Sequence, residues 1–112
     1  MAKRKNDLRT LRDALRRFAD ERDWDQFHSP RNLAASISIE AAELLECFQW
    51  QPEAKQVERV REEMADVLLY LIRLADKLDV DLVEAAERKL ELNAKKYPVH
   101  KARGKSSKYT DL

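Results

Sequence analysis

Four stretches of the chain carry apolar residues at spacings of three and four, which is the period of an α-helix. The predicted helices cover residues 7–21, 30–48, 53–78 and 82–95. Ser29 and Pro30 suit the N-cap and the first position of the second helix. The short connection after that helix favours an antiparallel hairpin with the third. The pattern therefore predicts an all-α fold, a helical bundle of four main helices.

The third predicted helix has the most regular pattern, an unbroken heptad of apolar a and d positions. These positions are Val57, Val60, Met64, Val67, Leu71, Leu74 and Leu78. At about 26 residues the helix would span ~39 Å, whereas a compact chain of this length is about 34 Å across. Because the helix would be longer than its own domain, we expect a homo-oligomer, either a dimer or a dimer of dimers.

The composition indicates one helical domain. The 112 residues include one glycine and three prolines, too few for the turns of a sandwich, barrel or doubly wound sheet, and 44% are apolar. We expect a single domain over residues 1–112. A basic tail is predicted from about residue 98, since residues 95–108 hold six basic residues and no acidic one.

Charge and cysteine content limit the partners and the location. The net charge of +1 argues against nucleic-acid binding through bulk charge, so no stable nucleic-acid binding is expected. Cys47, the single cysteine, cannot form an internal disulfide. No apolar run approaches the ~18 residues of a membrane span, and the first residues lack the apolar segment of a signal peptide. These features predict a cytoplasmic protein without a membrane partner.

Two pairs of acidic residues border the apolar stripes of the second and third helices. Glu40 and Glu43 form one pair, and Glu63 and Asp66 form the other. The i, i+3 spacing puts both carboxylates of a pair on one side of a helix. In an antiparallel hairpin the two pairs can face each other, and four such carboxylates repel one another unless cations neutralise them. Mg²⁺ or Mn²⁺, which prefer oxygen ligands, are the expected ions.

The same acidic spacing also arises on solvated helix faces, as it does for Asp81, Glu84 and Glu87. Periodicity alone therefore leaves a metal site and an exposed face as alternatives. A di-iron site is disfavoured because neither His28 nor His100 follows a glutamate by three residues on a helix. One cysteine and two distant histidines do not suit zinc.

Both tryptophans lie at the ends of the second helix, outside its apolar stripe. Trp24 precedes the helix and Trp50 follows it, and such rings can either stack a nucleobase or cap a small core. Tyr70 lies on the carboxylate side of the third helix. Basic residues nearer the C-terminus, such as Lys89 and Lys105, can either bind phosphates or face solvent.

The acidic pairs match a family signature. Glu40-x-x-Glu43, then nineteen residues, then Glu63-x-x-Asp66 resembles the ExxE…ExxD signature of the all-α nucleoside triphosphate pyrophosphohydrolases, the MazG-like superfamily. Four segments also resemble the dCTP pyrophosphatases in order and spacing, over nearly the whole chain from about Leu8. These segments are ERDWDQFHSPRNL, IEAAELLECFQW, EEMADVLLYLIRLA and NAKKYPVHKARGKSSKYTDL.

The resemblance implies Mg²⁺-dependent hydrolysis of a (deoxy)nucleoside triphosphate, dCTP or a modified dCTP, to the monophosphate and pyrophosphate. The metal ligands that it implies are Glu40, Glu43, Glu63 and Asp66. The base pocket that it implies contains Trp24, His28, Asn32, Trp50 and Tyr70. The residues that it places against the triphosphate are Lys89, Asn93, Tyr97, Arg103 and Lys105. We expect Glu43 to act as the general base, because an acid not fully committed to metal can accept the proton of the attacking water.

The alternative from another class is a non-catalytic helical interaction module. Its heptad and basic tail would bind a protein partner or nucleic acid. Melting temperatures discriminate the two, because Mg²⁺ and then a triphosphate should each stabilise the enzyme and neither should stabilise a scaffold.

Overall fold

The structure, a computed structural model, describes residues 7–50 and 56–112. Within these ranges the fold is all-helical and has no strand, as predicted. The four long helices are α1 (Leu8–Glu21), α2 (Pro30–Glu46), α3 (Val57–Lys77) and α4 (Leu82–Lys96). The shorter elements are the helix α5 (Val99–Ala102) and the 3₁₀ turns Asp25–Phe27 and Tyr109–Asp111.

Polar side chains fix the starts of three long helices. Asp7, Ser29 and Asp81 each accept a hydrogen bond from the backbone N–H three residues later, at 2.8, 3.1 and 3.1 Å. Each bond satisfies one of the N–H groups that the first turn of a helix leaves free. The predicted N-cap at Ser29, with Pro30 in the first turn, is confirmed.

The third helix is shorter than the predicted range 53–78. Gln56 has an extended backbone and Val57 is the first helical residue, while the predicted start at residue 53 lies outside the described residues. With 21 residues, α3 is about 32 Å long. It therefore does not exceed the ~34 Å diameter of a compact chain, and the argument from helix length to an oligomer is wrong.

The described residues form two compact units, one that ends at Val80 and one that begins at Asp81. In the first unit α3 packs against both α1 and α2. Arg59 near the start of α3 pairs with Glu46 at the end of α2, at 3.3 Å. Arg73 near the end of α3 bonds to His28, which precedes α2. The two helices are therefore antiparallel, as predicted.

The core of the first unit is small. Among the described residues, the buried apolar side chains are Ala19 of α1, Leu33 of α2, and Ile72 and Ala75 of α3. Arg73 is buried with them and is 6% exposed. A core this small leaves much apolar surface in contact with solvent.

The heptad of α3 divides into two rows. The d positions, Val60, Val67 and Leu74, are half-buried. The a positions form what we call the exposed row, whose members are 38 to 65% exposed. The exposed row consists of Val57, Met64, Leu71 and Leu78.

The second unit contains α4, α5 and the final 3₁₀ turn. The segment that the sequence indicates as a basic tail holds the last two of these elements. The Tyr109 ring packs edge-on against Tyr97, with centroids 6.0 Å apart, and the Lys96 ammonium lies 4.9 Å from the Tyr109 centroid. This part of the chain therefore folds back onto the end of α4. None of the described helices is long and apolar enough to span a membrane.

Candidate metal centre and its surroundings

Three carboxylates converge where α2 and α3 pack together. Glu40 and Glu43 lie one turn apart on α2 and Glu63 lies on α3. One carboxylate oxygen from each residue lies within 4.8 Å of the other two. The side chains are half-buried, so this cluster is not an ordinary solvated acidic face.

Two oxygens of this cluster lack a hydrogen-bond donor. Oε2 of Glu40 and Oε2 of Glu63 are buried and have no hydrogen-bond partner among the described residues. An ionised carboxylate only accepts hydrogen bonds, so neighbouring carboxylates cannot satisfy one another unless one is protonated. Buried oxygens without donors are costly and require either a proton or a cation.

The pKa values of two glutamates in the cluster are raised. The pKa of Glu40 is raised to about 7, first because its protonated form can share a hydrogen bond with Glu43, and then through burial and repulsion from Glu43. The pKa of Glu63 is also raised, mainly by burial. Like charges in a partly dry site favour the neutral acid in this way.

A hard divalent cation fits this donor set. The three residues offer anionic oxygens and no nitrogen or sulfur, which suits Mg²⁺, Mn²⁺ or Ca²⁺ better than zinc or copper. Such an ion would supply the positive charge that the two unpartnered oxygens lack. The cluster can therefore hold a divalent metal.

Asp66, the fourth predicted ligand, stands apart from this group of three. It lies on α3 one turn after Glu63 and is half-buried. Its negative charge raises the pKa of both Glu40 and Glu63. Asp66 thus belongs to the electrostatic surroundings of the cluster, although it is not among the three residues whose oxygens converge.

Cys47 lies at the end of α2 and has a structural partner. Its Sγ lies 3.6 Å from the backbone carbonyl oxygen of Glu43, one turn earlier. This contact is typical of a small side chain that bonds back to its own helix.

The residues predicted for a base pocket fall into two groups. Trp24, His28 and Asn32 occupy one segment before and at the start of α2. The rings of Trp24 and His28 meet edge-on with centroids 6.4 Å apart, and the Asn32 side-chain amide donates to the Phe27 carbonyl at 3.0 Å. This segment is therefore held together by its own contacts.

Trp50 and Tyr70 lie elsewhere in the first unit. Trp50 follows α2, has a positive φ of 72° and is 93% exposed. Tyr70 is half-buried on α3, one turn after Asp66. An exposed indole of this kind is available to stack on a ligand or a partner.

The residues predicted to bind the triphosphate all belong to the second unit. Lys89 and Asn93 share one face of α4, and the Tyr97 N–H donates to the Asn93 carbonyl at 2.8 Å. Arg103 and Lys105 are exposed. They flank Gly104, whose φ of +77° suits a residue without a Cβ.

Sequence reasoning missed a network of charged residues in the first unit. The buried guanidinium of Arg73 lies 2.8 Å from Asp25 Oδ1 and 3.6 Å from Asp76 Oδ2. Arg16 of α1 also binds Asp76, at 2.5 Å, and Lys77 binds Asp25. The signal was available, since Arg73 is the one charged residue in the apolar run from Val67 to Ala75.

Comparison with known proteins gives consistent results. The MazG-like family model matches residues 35–112. The dCTP pyrophosphatase 1 of Mus musculus is 46% identical over 115 residues, which cover 92% of this chain and 68% of that protein. The Homo sapiens protein of the same name is 43% identical with the same coverage. The crystal structure of a pyrophosphatase from Archaeoglobus fulgidus DSM 4304 is 43% identical, covers 88% of this chain and 98% of its own, and has a TM-score of 0.78.

An all-helical unit in which three carboxylates converge from two antiparallel helices has a donor set that suits a divalent metal ion. The chain belongs to the MazG-like family. The sequence resemblance is thus confirmed, and so is the prediction of a hydrolase similar to the dCTP pyrophosphatases.

Proposed function

We propose that this protein hydrolyses dCTP, or a modified dCTP, to the monophosphate and pyrophosphate and so removes such nucleotides from the pool. The observation that carries the proposal is the convergence of three glutamates, two of which have buried oxygens without donors. Relatives named dCTP pyrophosphatase 1, 43 to 46% identical to this chain, support the substrate. The same observations favour an enzyme over a non-catalytic interaction module.

Glu40, Glu43 and Glu63, together with Asp66, would hold Mg²⁺, or Mn²⁺ in its place. When bound, the ion would neutralise phosphate charge and lower the pKa of a water molecule. Glu43 would accept the proton of the attacking water. The bond between the α and β phosphates breaks, which releases the monophosphate and pyrophosphate without a covalent enzyme intermediate.

The base would be held by aromatic and polar groups of the first unit. Trp24 would stack on it and Tyr70 would border the same pocket, whereas Trp50, beyond the opposite end of the 17-residue α2, would stack on a base held by a second subunit. His28 and Asn32 would supply donors and acceptors for the base edge. The assignment of the triphosphate to Lys89, Asn93, Tyr97, Arg103 and Lys105 rests on the family resemblance and stays a prediction.

We also propose that the chain works as a homo-oligomer, either a dimer or a dimer of dimers. The support is the exposed row of α3, which repeats an apolar side chain every seven residues over the whole helix. A contiguous apolar row of this kind is typical of a surface that another subunit covers. A single domain over residues 1–112, a cytoplasmic location and the absence of stable nucleic-acid binding stay predictions.

The deciding experiment is a panel of nucleoside triphosphates with detection of pyrophosphate, in Mg²⁺ and in EDTA. We expect turnover in Mg²⁺ alone, with dCTP preferred. Glu63→Gln should lower kcat by about a hundredfold or more, because removing even an outer-shell partner of a metal ligand typically costs about 10- to 100-fold. Glu62→Gln is the matched control, since Glu62 is the exposed neighbour of Glu63 on α3. Equal turnover by the two variants at saturating Mg²⁺ would show that the metal-site assignment is wrong.

A further inference from the structure

The buried guanidinium of Arg73 has a separate partner for each of its nitrogens. Nε donates to His28 Nδ1 at 3.2 Å, and Nη2 donates to Asp25 Oδ1 at 2.8 Å. Nη1 lies 3.6 Å from Asp76 Oδ2. A guanidinium is planar and only donates hydrogen bonds, so this geometry fixes the three partners relative to one another.

The bond from Arg73 determines the protonation state of His28. Because Nε–H is a donor, Nδ1 of His28 must provide a lone pair, and in a neutral imidazole the proton then resides on Nε2. A charged His28 would lose this bond and would face two cations, Arg73 and Lys77, with Asp25 as the opposing carboxylate. Burial is the main cause of the lowered pKa of His28, and the two cations lower it further.

The surroundings of His28 hold the ring in place. Trp24 packs edge-on against it. Asp25, three residues earlier, is bound by both Arg73 and Lys77. The ring is half-buried and its remaining polar atom is Nε2, which carries a proton when Nδ1 is an acceptor.

We propose that Arg73 is a positioning residue that fixes His28 as a neutral Nε2–H donor, and that this donor selects a nucleotide base with an acceptor at the facing edge. A carbonyl oxygen or an unprotonated ring nitrogen satisfies this donor. A base with an N–H at the same place leaves two donors opposed, and a donor that finds no acceptor weakens binding strongly. The base contact rests on the proposed function, whereas the protonation state of His28 does not.

The protonation state is measured directly by ¹⁵N NMR of the histidine side chains, with His28→Gln to assign the two histidines. At pH 7 we expect wild-type His28 to be neutral with its proton on Nε2. In Arg73→Met we expect a mixture of the two neutral tautomers and a higher pKa. A proton on Nδ1, or a charged ring, in the wild-type protein at pH 7 would overturn the proposal.

Kinetics then test the role in recognition. Arg73→Met should raise KM for dCTP about tenfold, the typical effect of one lost or misplaced hydrogen bond to a ligand, with kcat changed by less than about twofold. Arg16→Met is the matched control, since Arg16 binds the same Asp76 without touching His28. An equal rise in KM for both variants would show that Arg73 acts only through the stability of the network.

A second pair of variants tests the role of the His28 Nε2–H donor if Arg73→Met does not fold. His28→Gln keeps an amide N–H near the position of Nε2, whereas His28→Asn keeps one near Nδ1. We expect kcat/KM for dCTP to be about tenfold higher for the glutamine variant, and the opposite order would contradict the proposal. If the wild-type protein does not hydrolyse dCTP, the proposed function and the base contact are both wrong. The ¹⁵N NMR spectra then still test whether Arg73 fixes the protonation state of His28.

Discussion

Replacing Glu40 with glutamine should make the metal-free protein more stable. One oxygen of Glu40 lies within 4.8 Å of an oxygen of Glu43 and of Glu63. Two unit charges at that distance repel by roughly 3 kcal/mol at an effective dielectric constant of about 20. Solvent screens a half-buried group, so we expect a gain of about 1 kcal/mol, or about 4 °C in Tm.

The gain in stability of the metal-free Glu40→Gln variant should also depend on pH. The pKa of Glu40 in the folded protein is raised from 4.5 to about 7, so ionisation of Glu40 destabilises the fold as the pH rises through that range. The glutamine variant does not ionise there. The difference in stability between Glu40→Gln and the wild-type protein in EDTA should therefore be larger at pH 8 than at pH 6.

Mg²⁺ should make the wild-type protein more stable than Glu40→Gln, the reverse of their order in EDTA. An ion that binds only the folded state adds about 2.7 kcal/mol at one hundred times its dissociation constant. The wild-type protein should gain this stability, and Glu40→Gln should gain much less because it has lost a ligand. Mn²⁺ should act in the same direction.

The assay is denaturant or thermal unfolding at fixed protein concentration, in EDTA and in saturating Mg²⁺, with Glu62→Gln as the control. The control should follow the wild-type protein in both conditions. If Glu40→Gln is less stable than the wild-type protein in EDTA, or gains as much from Mg²⁺, the cluster is not a repelling set of metal ligands.

Three further predictions concern the base, the assembly and acid stability. Trp50→Ala should lower kcat/KM for all triphosphates by a similar factor, about tenfold or more. Asn32→Ala should instead reduce the difference in kcat/KM between dCTP and the other triphosphates. Equal kcat/KM for dCTP, dTTP and dATP in the wild-type protein would contradict the predicted specificity. Met64→Glu, in the middle of the exposed row, should shift sedimentation at micromolar concentration toward the monomer, and an active wild-type monomer would contradict the proposed assembly. The hydrogen bond from Arg16 is the main cause of the lowered pKa of Asp76. The ion pair therefore stabilises the fold at pH values above 3.8, the ordinary pKa of the group, and this stabilisation is lost as the pH falls below that value. In Asp76→Asn, unfolding midpoints measured between about pH 5 and pH 2 should fall less steeply than in the wild-type protein, and an unchanged slope would contradict this assignment.

The sequence predicted the long helices because their signals are local. Asp7, Ser29 and Asp81 cap helices by hydrogen bonds to residues three positions away. The converging glutamates were predicted in the same way, since i, i+3 spacing and a short connection suffice to bring them together. The predicted start of α3 at residue 53 preceded the heptad, whereas the helix begins at Val57, the first apolar position of that heptad.

The charged network could not be derived from spacing. Arg73 and Asp25 lie 48 positions apart, and their pairing depends on how the 3₁₀ turn before α2 meets the end of α3. The division of the heptad into two rows is equally non-local, since it depends on which side of α3 faces α1 and α2. Periodicity shows that a helix has an apolar face, but it does not show how much of that face the same chain can cover.

The charged network also affects how the protein responds to heat. Among the described residues, α1 contributes only Ala19 to the buried core, whereas Arg16 links α1 to Asp76 and, through it, to Arg73. The desolvation cost of charged groups falls as temperature rises, while the benefit of apolar burial levels off. The attachment of α1 to α3 should therefore weaken less on warming than an apolar contact of the same extent would.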